Sequence, residues 1–239
     1  KRKIMSPDET YKLFISGVPP MAVFNMHSAE ILDLVNNDDE SEENILKLVP
    51  TLSLIGLIAY FESYCKESAS AIINIHPDLL EKAQAGGFDT TINCADLKSF
   101  NYDIRGRLGS LVVEKYNFGD IKKVNSFWGA LFKSTPLSKD EVKKFAKLLA
   151  DRNLFVHHGG IYTSKYIKQY MKDLDMSTHA HFHSVQYSHE DFREHCKFIQ
   201  KLVEKIADCT VVGLNKCIED GELVRSELIE KAIEQIAWD

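Results

Sequence analysis

The chain has 239 residues, 44% of them hydrophobic and 27% charged, with a formal net charge of −6. That is enough length for a full hydrophobic core, and the acidic balance excludes a general electrostatic hold on nucleic acid, which needs a basic surface. Five widely spaced cysteines without a CxxC pair read as reduced thiols in a cytoplasmic protein, not as a disulfide framework or a zinc site. No secretory leader is visible, and the Lys1-Arg2-Lys3 start without Met reads as trimmed. The most apolar run, Leu52 to Phe61, is far short of the roughly 20 residues a membrane span requires, so no membrane partner is expected.

In chain order, Pro7 to Ser16 reads as a short helix behind Ser6, with Asp8 and Glu9 in its first turn, stopped by Gly17-Val18-Pro19-Pro20. Ser28 to Asn36 is a second helical pattern. The acidic stretch from Asn36 to Glu43 reads as a solvated linker, dividing an N-terminal helical extension (1–40) from the main helical domain (41–239). Pro50 to Ile75 is a long helix with Pro50 in its first turn. Its stripe is Ile55, Ile58, Cys65, Ala69 and Ile72, and Glu62 interrupts it at helical spacing.

Pro77 to Ala85 is helical and ends at Gly86-Gly87, and Phe88 to Ser99 reads as loop or extended chain. Two helices, Arg105 to Tyr116 and Asp120 to Phe132, flank a turn made locally basic by Lys115, Lys122 and Lys123. The strongest helix runs from Lys139 to the Gly159-Gly160 stop, opened by a Ser138/Glu141 capping box. Lys165 to Leu174 is a short helix. Ser177 to Tyr187 is a loop or short hairpin, and Ser188 with Asp191 opens a long helix to about Ile218. Gly221 precedes a last amphipathic helix, Leu223 to Trp238, which stands as an appendage. No strand series alternates, so the fold class is all-α.

Within the Lys139 helix, Val142, Phe145, Leu148, Leu149, Phe155 and Val156 form an apolar face that continues through Arg152. Asn153 lies on its edge and His157 one turn further on. A buried guanidinium costs several kcal/mol unless paired, so Arg152 and Glu62, opposite charges on two apolar stripes, are expected to meet as an ion pair, the alternative being an exposed Glu62 at the stripe edge. Arg is a permanent cation suited to phosphate oxygens, and His transfers protons near neutral pH. Five helical positions separate their directions by about 140°, so a regular helix does not aim both at one atom. Two arrangements answer this: the helix end unwinds at the glycines, or a second copy of the helix faces the first. The bland alternative is an Arg paired to Glu62 and a His interacting with the helix dipole.

The run Arg152-Asn153-Leu154-Phe155-Val156-His157 on a helix ending in glycines resembles the HEPN superfamily (higher eukaryote and prokaryote nucleotide-binding), whose mark is Arg, four to six residues, then His. The earlier long helix with Phe61-Glu62-Ser63 and the long helix after the motif extend the resemblance over roughly Glu43 to Ile218. The resemblance implies an HEPN-like helical bundle and a homodimer whose motif helices share one cleft. It further implies a metal-independent endoribonuclease of defence or toxin systems, with an RNA substrate, no cofactor, and a regulator or antitoxin encoded beside it. Arg152 would hold the scissile phosphate, His157 would take the 2′-hydroxyl proton or protonate the leaving oxygen, and Asn153 would orient the His or the phosphate. His158 also satisfies the loose spacing, and Glu62 would support Arg152. The rival is a noncatalytic helical dimer that binds a partner protein or nucleotide.

Two further patterns stand apart. His179, His181 and His183 alternate, with His189 and His195 nearby. On extended chain the first three would share a face toward zinc or nickel, or make a rim for RNA or a partner. The aromatics Tyr102, Tyr116, Phe118, Phe127, Trp128 and Phe132 suit base stacking, but their helical spacing favours core. Walker, GxGxxG, GxSxG and HExxH motifs are absent, which removes several enzyme classes.

Overall fold

The computed structural model describes residues 9–38, 48–99, 101–102, 104, 106–171 and 184–237. After a 3-10 turn at Glu9–Leu13 come α1 (Pro20–Asn36), α2 (Leu48–Ile75), α3 (Leu79–Ala85), α4 (Cys94–Ser99) and α5 (Leu108–Val113). They are followed by α6 (Ile121–Phe132), α7 (Lys139–His158), α8 (Ser164–Tyr170), α9 (His189–Glu219) and α10 (Glu227–Ile236). Among the described residues the β pairing is one isolated antiparallel bridge, Ile161 to Ser184, so the all-α expectation holds.

The fold is built around α2. Its expected stripe is buried at Ile58, Cys65, Ala69 and Ile72, but burial also takes in Leu54, Leu57, Phe61, Tyr64, Ala71 and Ile73. Helices α1, α5, α7 and α9 all pack on it. Small residues at Ser68, Ala69, Ser70 and Ala71 let neighbours come close, and Gly109 of α5 is the tightest case. A Cβ there would lie 2.0 Å from the Ser70 carbonyl oxygen. Asn74 fixes the same corner, donating to the carbonyls of Leu13 (3.0 Å) and Gly106 (3.1 Å) and accepting from the Gly109 N–H (2.8 Å). Taken whole, α2 is also long and apolar enough to cross a membrane, with an 18-residue window of mean hydropathy 1.4. The estimate from Leu52 to Phe61 alone is corrected on this point. The burial of α2 against its four neighbours is what the central helix of a core requires.

Helix α1 begins at Pro20, well before the expected Ser28, because a proline that ends one element is also preorganised as the first residue of the next. It packs along α2 and α9 and shares their core through Met21, Phe24 and Val35. The segment expected as an extension therefore belongs to the same hydrophobic unit. Cys94–Ser99 is helical where loop or extended chain was expected, with the Ala95 N–H bonded to the Asn93 side-chain oxygen at 2.9 Å. The aromatics are core, as their spacing favoured. Phe118, Phe127 and Trp128 are fully buried, and the Trp128 indole donates to Thr210 at 2.7 Å. Tyr102, by contrast, stands 70% exposed. Helix α10 buries Ala232, Ile233 and Ile236 and packs on α9 and the 3-10 turn.

Candidate functional site

Helix α7 opens with the expected capping box. The Ser138 hydroxyl accepts from the Glu141 N–H, and the Glu141 carboxylate accepts from the Ser138 N–H at 2.9 Å. The helix ends with Gly159 at φ +59°, a left-handed conformation that favours glycine. It stays regular through His158, so the end does not unwind.

The buried row of α7 is Phe145, Leu148, Asp151 and Leu154. Steps of three residues turn the buried direction by about 60° each time, so the row winds round the helix instead of running straight through Arg152. The N-terminal half faces α2, where the Phe145 and Phe61 rings are 4.8 Å apart. The C-terminal half is covered by α8 and by the chain leading into α9. This corrects the sequence expectation. The fully buried charge is Asp151, at 0% exposure, while Arg152 is half-buried and Val156 is 47% exposed.

Asp151 accepts hydrogen bonds from the Tyr166 and Tyr187 hydroxyls, and Lys147, one turn earlier, pairs with it at 3.0 Å. Burial, together with the adjacent carboxylate, raises both tyrosine hydroxyls far above the ordinary phenol range. Tyr162 stacks on Tyr166, and Tyr170 lies against it. This aromatic and polar wedge holds the motif end of α7 from behind. Sequence reasoning missed it. The available signal was an acid inside a helical run whose following segments are rich in tyrosine.

On the outward side, Arg152 donates from Nη1 to Asn153 Oδ1 at 3.1 Å, while its buried Nε has no partner. Glu62 is near enough to feel the guanidinium. Burial raises the Glu62 carboxyl, and Arg152 and Lys66 partly offset that. Among the described residues, however, no ion pair within 4 Å joins Glu62 to Arg152, so the expected salt bridge does not form. Glu62 instead lies over the turn before α6, where a Cβ on Gly119 would sit 2.4 Å from its Oε1. Asn153, His157 and His158 are exposed, and the two imidazole centroids are 6.5 Å apart. Among the described residues no hydrogen bond joins Arg152 to either ring.

The structure thus gathers Arg152, Asn153 and Glu62 on one side and leaves His157 and His158 at the helix tip. Val156, 47% exposed, adds an apolar side chain one turn beyond Arg152. His179, His181 and His183 lie outside the described residues. Their two neighbours are used by the fold. His189 Nε2 is 3.0 Å from Asp38 Oδ2, tying the start of α9 to the end of α1. The His195 ring packs edge-on to Tyr187, with burial lowering its basicity. No family model, curated protein or solved structure matches the chain.

Proposed function

We propose that this protein is an HEPN-type endoribonuclease that cuts single-stranded RNA by 2′-hydroxyl attack, without a metal ion, as a two-fold dimer. The observation that carries the reading is the condition of Arg152. It is a cation set on a rigid helix, with a buried Nε lacking a partner, bonded to its neighbour Asn153, within electrostatic reach of Glu62, and one and a half turns from two exposed imidazoles. A guanidinium with hydrogen-bonding capacity left over in this way is matched to the oxygens of a phosphodiester. The 140° between Arg152 and His157 persists in the regular helix, so a second α7 must supply the other half of the cleft. The exposed apolar side chain of Val156, one turn beyond Arg152, supports such a partner.

In this mechanism Arg152 neutralises the phosphoryl oxygens, and Asn153 keeps the guanidinium turned toward them. His157 of one copy takes the 2′-hydroxyl proton. The 2′ oxygen bonds to phosphorus, the bond to the 5′ oxygen breaks, and an imidazole of the other copy protonates that oxygen. The products are a 2′,3′-cyclic phosphate and a 5′-hydroxyl. A toxin or defence setting, with a regulator that masks the cleft, belongs to the same proposal.

The test is cleavage of labelled single-stranded RNA in excess chelator by wild type and by His157→Ala, His158→Ala and Arg152→Ala. Loss of a positioned proton carrier costs about 10²–10⁴ in rate, so His157→Ala is expected to lose most activity while His158→Ala stays mild. DNA and 2′-O-methylated RNA, which lack the attacking hydroxyl, are expected to remain intact. Cleavage that requires added metal, or that survives both histidine substitutions, overturns the mechanism. A second reading, a noncatalytic module that binds a partner, is favoured by the same exposed apolar side chain. It predicts saturable binding with no cut at any enzyme concentration.

A further inference from the structure

Away from the motif, His76, Cys217 and Glu222 converge from three places in the chain. His76 follows the last turn of α2, Cys217 is in the last turn of α9, and Glu222 lies in the turn beyond. Gly221, at φ +74°, turns the chain back so that the Glu222 and Leu223 N–H groups both bond to the Cys217 carbonyl, at 2.9 and 3.0 Å. That turn brings the Glu222 carboxylate over the Cys217 thiol. The imidazole, thiol and carboxylate ligand atoms all lie within 4.8 Å of one another. His76 and Cys217 are 3% and 5% exposed, and Glu222 stands at the solvent edge. A cavity of about 90 Å³ reaches the group, lined by Cys217, Asp220, Glu222 and Lys82 among others.

We infer that His76, Cys217 and Glu222 form a zinc(II) site that clamps the end of α2 to the end of α9. Tetrahedral zinc takes sulfur at about 2.3 Å and nitrogen or oxygen at about 2.0–2.2 Å, which requires ligand atoms roughly 3.3–3.8 Å apart. No pair of ligand atoms has to close by more than about 1.5 Å to reach that geometry. The donor set is a soft thiolate, an imidazole and one carboxylate, which suits zinc and not the oxygen-seeking magnesium or calcium. Three protein ligands leave the fourth position to water from the cavity.

Lys82 bears on the affinity. Its Nζ donates to Glu222 Oε2 at 2.7 Å, so in the metal-free protein an ammonium already neutralises the carboxylate. Zinc must compete with it or bind through the other oxygen. Burial lowers the basicity of the His76 ring, which favours its ligating form, and pushes the Cys217 thiol up to about 11. Binding therefore releases the thiol proton to solvent as the sulfur–zinc bond forms.

The test uses the full chain carrying His179→Ala, His181→Ala and His183→Ala, which removes the alternating histidines as competing ligands. The stripped protein is titrated with cobalt(II) and then zinc(II). The expected result is one cobalt per chain with a thiolate-to-cobalt charge-transfer band that zinc abolishes. Cys217→Ser is expected to remove the band, and His76→Ala to weaken binding at least tenfold. Lys82→Met is expected to tighten it about two- to fivefold, the factor for losing one competing exposed ion pair. At free zinc about a hundredfold above Kd the melting temperature is expected to rise by roughly 5–10 °C. One measurement needs no substitution at these residues: zinc is expected to slow alkylation of Cys217 while exposed Cys94 reacts as before. No charge-transfer band, a band that persists in Cys217→Ser, or unchanged Cys217 alkylation under saturating zinc overturns the site.

Discussion

Deleting a single hydroxyl from the wedge behind α7 is expected to have a measurable cost. Asp151 is fully buried and takes two of its hydrogen bonds from Tyr166 and Tyr187, both 6% exposed. Tyr187→Phe keeps the ring and its packing on Phe155, whose centroid is 5.8 Å away, and removes only the O–H. A hydrogen bond to a charged group is worth about 1.5–3 kcal/mol, and the oxygen that loses it, Oδ2, keeps only the Lys147 ammonium at 3.0 Å. In a chain of this length that is a fall in Tm of roughly 3–10 °C. Tyr166→Phe is expected to match it. Asp151→Ala strands both hydroxyls and is expected to cost about 3–5 kcal/mol, a large part of a typical folding free energy. Lys147 does not rescue these variants, because its side chain is 52% exposed and keeps its own hydration. Urea unfolding of the two single variants and the Asp151→Ala/Tyr187→Phe double variant closes a cycle. A coupling of about 0.5–3 kcal/mol is expected, since the tyrosine hydroxyl matters less once its acceptor is gone. Strict additivity, or a loss below about 0.5 kcal/mol in both Tyr→Phe variants, refutes the claim that this carboxylate organises the wedge.

Further outcomes follow from other parts of the fold. Burial opposes the charged form of Glu141, but the bonds from Lys205 and from the Ser138 hydroxyl and N–H outweigh it and hold the carboxyl at about 2 against an ordinary 4.5. A depressed acid stabilises the fold above its unfolded value, so Glu141→Gln is expected to cost about 1 kcal/mol at pH 7, allowing for the part-exposed Lys205. That difference should close as pH falls from 4.5 toward 2, and equal gaps at pH 7 and pH 2.5 in denaturant unfolding would contradict the assignment. Gly109→Ala forces a Cβ to 2.0 Å from backbone oxygen and is expected to destabilise by about 3 kcal/mol, read by thermal unfolding. Light scattering at micromolar concentration is expected to give a dimer for wild type and a monomer for Val156→Glu; a wild-type monomer removes the shared cleft.

Much of the helical architecture is legible locally. The α7 and α9 starts are written in Ser138/Glu141 and Ser188/Asp191, whose side chains satisfy N–H groups that no helix turn can reach, and both capping boxes are present. Gly159 and Gly221 mark ends because each adopts positive φ just past its helix. The motif residues Arg152, Asn153, His157 and His158 could be placed on one helix end from spacing alone. Their surroundings could not. The straight apolar stripe pointed to Arg152 as the buried charge, whereas the partners that cover α7 turn its buried row toward Asp151. Those partners, Tyr166 and Tyr187, lie 15 and 36 positions along the chain, in segments whose short or irregular patterns do not announce a contact.

The same division separates Glu62 from Arg152. Periodicity placed each on its stripe, but the direction of a side chain within a stripe depends on what packs above it. Gly119 leaves space that Glu62 fills, and Asn153 offers the nearer acceptor to Arg152. For His76, Cys217 and Glu222 the sequence holds no spacing to read, since the convergence is made by α2 and α9 packing side by side and by one left-handed turn. Local hydrogen bonding and periodicity are properties of a few consecutive residues, so the sequence by itself determined where helices begin, where they end and which surfaces are apolar. The burial of one carboxylate and the orientation of one guanidinium depend on which distant segments fill the space around them, and only the tertiary structure decided those.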